Sequence, residues 1–293
     1  LLMDIKCLCA NVRREISRHC EITRYFEQLP DSPLLDDYRA MLREADPTER
    51  MRLQNVLRSR VVPGSIDVNV MTKLDCLRPV RGKMPDGLHS DAKAALRGFA
   101  RSILRSSIVC SAGMSRDLYK YFGSFGDFFP DSHGVRKKGI VIKVSDYRSA
   151  ELQGLFLAKR GLWVSEFRIE SGLNCGGHAF ATKGRLLGPI LQEFKDKREE
   201  LRDMLHAEYL RSLESLGLDG SELSCGFRFT AQGGIGTAEE NDLFLRYYTL
   251  DGTGWGTPFL LVPETVNLDH AHLEKLASAG DDDVYLSDSS PLG

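Results

Sequence analysis

The feature that most constrains the fold is a regular alternation of predicted strands and helices, which begins near Val61. The predicted strands cover residues 65–71, 107–113, 139–145, 163–169, 227–231 and 252–261. The predicted helices follow them at 90–103, 117–128, 149–159, 189–216, 238–248 and 268–279. Because such alternation indicates parallel strands joined by right-handed crossovers, an α/β fold is expected. A (β/α)₈ TIM barrel and a doubly wound open sheet both fit the pattern.

The first 60 residues have a different character, charged and helical throughout. Asp46-Pro47 predicts an N-cap followed by proline at the first helical position. We therefore expect a helical N-terminal segment at 1–60 and a barrel at 61–293. A closed barrel needs about 250 residues, whereas the barrel pattern covers only 65–265. The barrel is thus expected to be incomplete at its N-terminus, with its first strands missing or altered.

Composition excludes several classes of partner. The 293 residues include 39 Lys and Arg against 41 Asp and Glu, a net charge of −2, so no nucleic-acid partner is expected. No apolar run approaches the ~18 residues of a membrane span, and no membrane partner is expected. The seven cysteines are scattered along the chain, which is typical of a reducing compartment and predicts a cytoplasmic location.

Two glycine-rich turns follow predicted strands near the end of the chain. The first runs from Gln232 through Gly233 and Gly234 to Thr237, and the second contains Gly254, Gly256 and Thr257. Glycines let the backbone approach a ligand closely, and the start of a following helix attracts phosphate. Phosphate sites of barrels use the last two strand-to-helix loops. The pair therefore predicts a phosphate site, with ordinary tight turns as the alternative.

A third motif, Glu170-Ser-Gly-Leu-Asn-Cys-Gly-Gly-His178, follows the strand that ends at Ile169. Barrel enzymes place reacting side chains at strand ends, and a histidine there acts as acid or base. The alternatives are a structural His178 and a Cys175 nucleophile. Cys175 with His178 is poor evidence for a metal, so no metal site is expected.

These motifs occur in the order of a known family. Gly176-Gly177-His178, Gln232-Gly233-Gly234-Ile235 and Gly256-Thr257-Pro258-Phe259-Leu260 together resemble the nitronate monooxygenase (2-nitropropane dioxygenase-like) family. Members of this family are FMN-binding TIM barrels. The resemblance covers residues 65–265 and implies an FMN-dependent oxidoreductase that acts on a small-molecule substrate.

The resemblance also implies roles for individual residues. His178 would be the catalytic base that takes a proton from a nitroalkane. Asn69 and Lys143 would face the flavin ring or ribityl chain, and a cation such as Lys143 would favour reduced, anionic flavin. A loop cap and a solvent-exposed lysine are the plainer alternatives for these two. The remaining cofactor-binding positions are Gly176, Gly177, Gln232, Gly233, Gly234, Gly256 and Thr257, of which Gly233, Gly234, Gly256 and Thr257 would bind the phosphate.

Ser171 and Asn174 stand where the family has Gln and Glu, which weakens the case for a nitronate substrate more than for the flavin. Three other functions stay open: an FMN-dependent enoyl reductase, a non-redox barrel that binds a phosphorylated metabolite, and a degenerate barrel that serves as an interaction protein. The long predicted helix at 189–216 has three interpretations, which are a lid, a contact in a homodimer, and plain packing as the default.

Overall fold

A computed structural model describes most of the chain as two compact units, Leu1–Ile66 and Asp67–Gly293. The described residues are 21–29, 31–62, 64–65, 67–70, 75, 90–111, 113–170, 187–220, 226–233, 235, 237–255 and 269–283.

The first unit contains three described helices, α1 (Glu21–Glu27), α2 (Pro33–Arg43) and α3 (Pro47–Arg60). The Asp46 carboxylate accepts the backbone N–H of Thr48, so the predicted N-cap before Pro47 is confirmed. The buried side chains form one small apolar core, consisting of Ile22, Phe26, Leu35, Tyr38, Met41, Leu57 and Val61. This unit therefore has its own hydrophobic interior.

The second unit alternates strands and helices. Its strands are β1 (Val68–Val70), β2 (Ser107–Cys110), β3 (Gly139–Val144), β4 (Val164–Glu170), β5 (Arg228–Gln232) and β6 (Gly252–Gly254). Its helices are α4 (Asp91–Ala100), α5 (Arg116–Phe122), α6 (Tyr147–Ala158), α7 (Leu187–Asp196), α8 (Arg198–Ser215), α9 (Ala238–Arg246) and α10 (His270–Ser278). Short 3₁₀ turns lie at Gly126–Phe128 and Asp281–Asp283.

All six strands form one curled parallel sheet in the order β1-β2-β3-β4-β5-β6. The α/β prediction is therefore confirmed. A doubly wound sheet reverses its strand order at a switch point, and this sheet follows the chain without a reversal. The sequential order is that of a barrel wall. The described residues form six strands, whereas a closed TIM barrel has eight. The described part of the chain therefore shows a curled half-barrel and not a closed TIM barrel.

The two faces of the sheet differ in character. On one face, Phe167 and Phe229 are buried, and the ring of Phe194 on α7 packs edge-on against Phe229 at 5.2 Å. Residues paired in register share a face, so Lys143, Arg168 and Thr230 lie together on the other face. The sheet therefore carries an apolar face packed against helices and a face rich in polar side chains.

The prediction of one helix over 189–216 is wrong, because α7 and α8 are separated at Lys197, whose backbone leaves the helical region (φ −107°, ψ 16°). Both helices pack inward. Leu205 and Tyr209 of α8 are buried, and the Tyr209 ring lies 5.2 Å from that of Trp163. These contacts support the packing interpretation. The helix predicted at 117–128 also ends earlier than expected, at Phe122.

Among the helices in the described part of the chain, none is both long enough and apolar enough to cross a bilayer.

Candidate functional site

Three polar side chains meet where neighbouring strands end. Lys143 is the penultimate residue of β3, and Glu170 and Gln232 are the last residues of β4 and β5. Because parallel strands all end at one edge of the sheet, these residues lie at the edge where α/β proteins bind ligands. We call Lys143, Glu170 and Gln232 the strand-end cluster.

Glu170 is the centre of the strand-end cluster. The Lys143 ammonium lies 3.1 Å from Glu170 Oε2, and the Gln232 amide nitrogen donates a hydrogen bond to the same oxygen. The Glu170 side chain is only 4% exposed, and that of Lys143 is 18% exposed. A buried carboxylate is stable only when it is paired and hydrogen-bonded, and Glu170 meets both conditions.

A second carboxylate, that of Glu166, lies on the same face of β4, nearer the start of the strand than Glu170. Its Oε1 accepts hydrogen bonds from Arg168 Nε and Nη2 at 2.9 and 2.8 Å. The Thr230 hydroxyl donates to the same oxygen at 2.7 Å, and Arg228 Nη1 lies 3.8 Å from Oε2. These four side chains form a polar network on the same face, with Arg168 and Thr230 level with Lys143 and with Glu166 and Arg228 one same-face position lower.

Two glycines next to the strand-end cluster affect how the backbone turns and how closely neighbouring strands approach each other. Gly233 directly follows Gln232 and has φ +85°, a conformation that favours glycine. At Gly254 a Cβ would lie 3.0 Å from Cβ of Gln232, closer than side chains normally pack. The ends of β5 and β6 can therefore approach closely because Gly254 has no side chain.

The start of α9 is already capped by its own residues. The Thr237 hydroxyl accepts the Glu240 backbone N–H, and the Glu240 carboxylate accepts the Thr237 backbone N–H. Glu239 adds a second negative charge to the first turn. Because both features oppose an anion at the helix terminus, a phosphate beside β5 would depend on the amides of the preceding glycine turn.

Asn69 lies on the polar face, some distance from the strand-end cluster. It pairs in register with Val109, which pairs with Val141, two residues before Lys143. Its side chain is exposed. The sheet therefore places Asn69 on the same face as Lys143, two strands away and one layer lower.

The structure brings two predicted site residues, Lys143 and Gln232, onto one carboxylate, with Gly233 next in the chain. Asn69 is described but lies apart from this carboxylate, and the remaining predicted positions lie outside the described residues, namely Gly176, Gly177, His178, Gly234, Gly256 and Thr257. The sequence-based prediction did not include Glu170 among the site residues. The signal was the spacing Glu166-x-Arg168-x-Glu170, which places three charges on one face of a strand whose other face is apolar.

Two other chemistries have little support among the described residues. Cys110 ends β2 as a free thiol, but burial raises its pKa to about 12, so it is a poor nucleophile. Within the described ranges, no three His, Cys, Asp or Glu side chains are grouped as a metal site would require.

No protein-family model matches the chain, and no curated protein matches it.

Proposed function

We propose that this chain is an FMN-dependent oxidoreductase of the nitronate monooxygenase type, built on a TIM barrel whose wall includes the six described strands. The observation that carries the proposal is the convergence of Lys143, Glu170 and Gln232 at the C-terminal edge of the sheet. Ligands of sequentially wound parallel sheets bind at this edge. The order of the glycine motifs adds the resemblance to an FMN family.

The groups at the strand ends suit such a cofactor. Lys143 supplies ammonium donors for the polar edge of a flavin ring, and the left-handed Gly233 opens a turn beside it. The amides of Gly233, Gly234, Gly256 and Thr257 would hold the phosphate, and Asn69 would contact the ring or ribityl chain. FMN supplies the redox chemistry when bound, and the protein orients and tunes it. His178 would remove the substrate proton.

One observation also favours a second function. The pairing of Lys143 with Glu170 places an ammonium and a carboxylate 3.1 Å apart at the strand ends. Such a pair can transfer protons to and from a phosphorylated metabolite without a flavin. A non-redox barrel is therefore the second candidate, and flavin binding distinguishes the two.

The test is a titration of the purified protein with FMN and, separately, with riboflavin. We expect a yellow protein that binds FMN more tightly than riboflavin, because only FMN carries the phosphate. Gly233→Ala should weaken FMN binding about tenfold, the cost of losing about one charge-assisted hydrogen bond, and should leave riboflavin binding nearly unchanged.

Gly217→Ala is the matched control. Gly217 also has a left-handed backbone, with φ +71°, but it follows α8 rather than a strand end. Its substitution should strain the backbone similarly without weakening FMN binding. A colourless wild-type protein that fails to take up FMN would reject the proposal and favour the non-redox barrel.

A further inference from the structure

We infer that Glu170 is a positioning residue that neutralises the charge of Lys143 and holds both Lys143 and Gln232 in place at the cofactor. This inference rests on the proposed function. It changes the role that the resemblance implies for Lys143, which is that of a lone cation beside the flavin.

Side chains from two strands contact a single carboxylate oxygen on the strand between them. Lys143 comes from β3 and Gln232 from β5, and both reach Oε2 of Glu170 on the strand between them. Long side chains such as Lys and Gln lose rotamer freedom when they are fixed. The buried carboxylate fixes both before any ligand arrives, and this is the preorganisation that a cofactor site needs.

The charges around the strand-end cluster are balanced locally. The ammonium of Lys143 and the carboxylate of Glu170 sum to zero, and they lie 3.1 Å apart with little solvent contact. Two same-face positions below Glu170, Glu166 is paired with Arg168, and Arg228 lies nearby. A ring bound over the strand ends therefore meets a neutral pair instead of an isolated positive charge.

This arrangement has a specific electrostatic consequence. Replacing Glu170 with Gln keeps the size and an acceptor oxygen but removes the negative charge, so the ammonium of Lys143 becomes uncompensated. An unpaired positive charge within several ångströms stabilises an anion strongly in a partly buried site. Reduced flavin is anionic and oxidised flavin is neutral at the ring, so the substitution favours the reduced form.

The experiment reduces the FMN-bound protein slowly in the presence of a reference dye. The ratio of reduced to oxidised FMN is compared between variants at one and the same potential, which the dye reports. We expect E170Q to raise this ratio about tenfold, in line with one added charge near the ring. We expect the E170Q/K143M double variant to return to near the wild-type ratio, because the wild-type pair and the doubly substituted pair both have zero net charge.

Glu166→Gln is the matched control. Glu166 lies on the same strand and face and is also buried, but it is four residues, or two same-face positions, further from the strand ends than Glu170. Its removal should cost stability and change the flavin ratio less than about twofold, because the interaction weakens with distance.

Two results would overturn the inference: an E170Q ratio equal to or below that of the wild type, or a double variant whose ratio departs strongly from that of the wild type. The double variant leaves no lone charge, so it remains informative if E170Q does not fold.

A wild-type protein that binds no FMN rejects the proposed function and the flavin role together. In that case, chemical denaturation of E170Q, K143M and the E170Q/K143M double variant still tests the Lys143–Glu170 coupling, and strictly additive effects on the free energy of unfolding would refute the positioning role.

Discussion

Lys138 illustrates how a single charge is accommodated in the interior of this protein. Its side chain is completely buried just before β3. The ammonium donates to Asp127 Oδ2 and to the backbone carbonyl of Ser102, each at 2.8 Å, and it lies 5.4 Å from the centre of the Phe99 ring. Lys137 contacts the same carboxylate at 2.8 Å but is 39% exposed. The buried ammonium therefore depends on Asp127.

We expect Asp127→Asn to lower the free energy of unfolding by about 3 kcal/mol, because it leaves a buried charge without its counter-ion. Lys137→Met removes the exposed partner of the same carboxylate and should cost less than about 1 kcal/mol. Chemical denaturation of both variants measures the difference. Equal losses would show that burial of Lys138 is not what makes the pair important.

Asp127 also makes the free energy of unfolding depend on pH. Burial raises the pKa of Asp127, but hydrogen bonds and charges from Lys137 and Lys138 outweigh it, so the pKa in the folded state is below its ordinary value. The stabilisation is then fully present above the unfolded pKa, near 4, and is lost as the pH falls through the lower folded pKa. In D127N, the loss of unfolding free energy below about pH 4 should be smaller.

At the residue scale, the sequence-based prediction includes Lys143 and Gln232 but not Glu170, the carboxylate that both of them contact. Gln232 belongs to a glycine-rich strand-end motif, and Lys143 is implied by the family resemblance. The importance of Glu170 comes from contacts with residues 27 positions before it and 62 after it, which no local pattern records. Only the alternation of charges along β4 pointed to it.

Among the elements, the break between α7 and α8 is one that the spacing of apolar residues does not predict. Apolar residues keep helical spacing across Lys197, so the sequence predicts one helix. Tertiary contacts accompany the break: the Arg198 guanidinium donates to the carbonyl of Thr249 at 2.9 Å and to Asp251 at 2.6 Å. Lys197 itself lies over the Tyr147 ring. These partners are distant in sequence, whereas most strands and shorter helices, which depend on local patterns, were predicted to within a few residues.

The contact between α6 and α8 depends on a glycine. A Cβ at Gly154 would lie 2.9 Å from both terminal methyl carbons of Leu205, with Phe167 at 3.3 Å. Since Leu205 is itself buried, the side chains cannot move apart freely. We expect Gly154→Ala to lower the free energy of unfolding by about 2 kcal/mol, the usual cost of overpacking.

Gly98 provides the control for this prediction. It lies within α4 and is exposed, and a Cβ at this position would meet no atom within 4 Å. Gly98→Ala should therefore raise stability by about 0.5–1 kcal/mol, the ordinary gain for alanine in a helix. The prediction fails if both substitutions change the denaturation midpoint in the same direction.

For the whole molecule, the alternation of elements predicts parallel strands joined by right-handed crossovers, but it leaves the strand order open between a barrel and a doubly wound sheet. Closure into a barrel depends on how strands tilt and on which edges meet, and no local pattern specifies those. Because all neighbouring strands are parallel, the C-terminal ends of the six described strands lie at one edge of the sheet, where the site is proposed.

This topology predicts a one-sided response to ligand. Addition of FMN should slow hydrogen exchange of the amides just beyond the C-terminal ends of β3 and β5, at Ser145 and Gly233. At free FMN about 100 times its Kd, the slowing can reach about 100-fold. Amides at the opposite edge, such as those of Lys138 and Phe227, should exchange as before. Protection confined to the opposite edge would place the ligand elsewhere.

The lengths of the outer strands bear on how the protein behaves at high concentration. In the part of the chain that the structure describes, β1 and β6 are the edges of the sheet, and each is three residues long. A short edge offers few unpaired backbone donors and acceptors to a strand from another molecule. β6 is also two-thirds glycine, which is a weak strand former. The described edges are thus poor templates for intermolecular sheet growth, and they disfavour aggregation by strand addition.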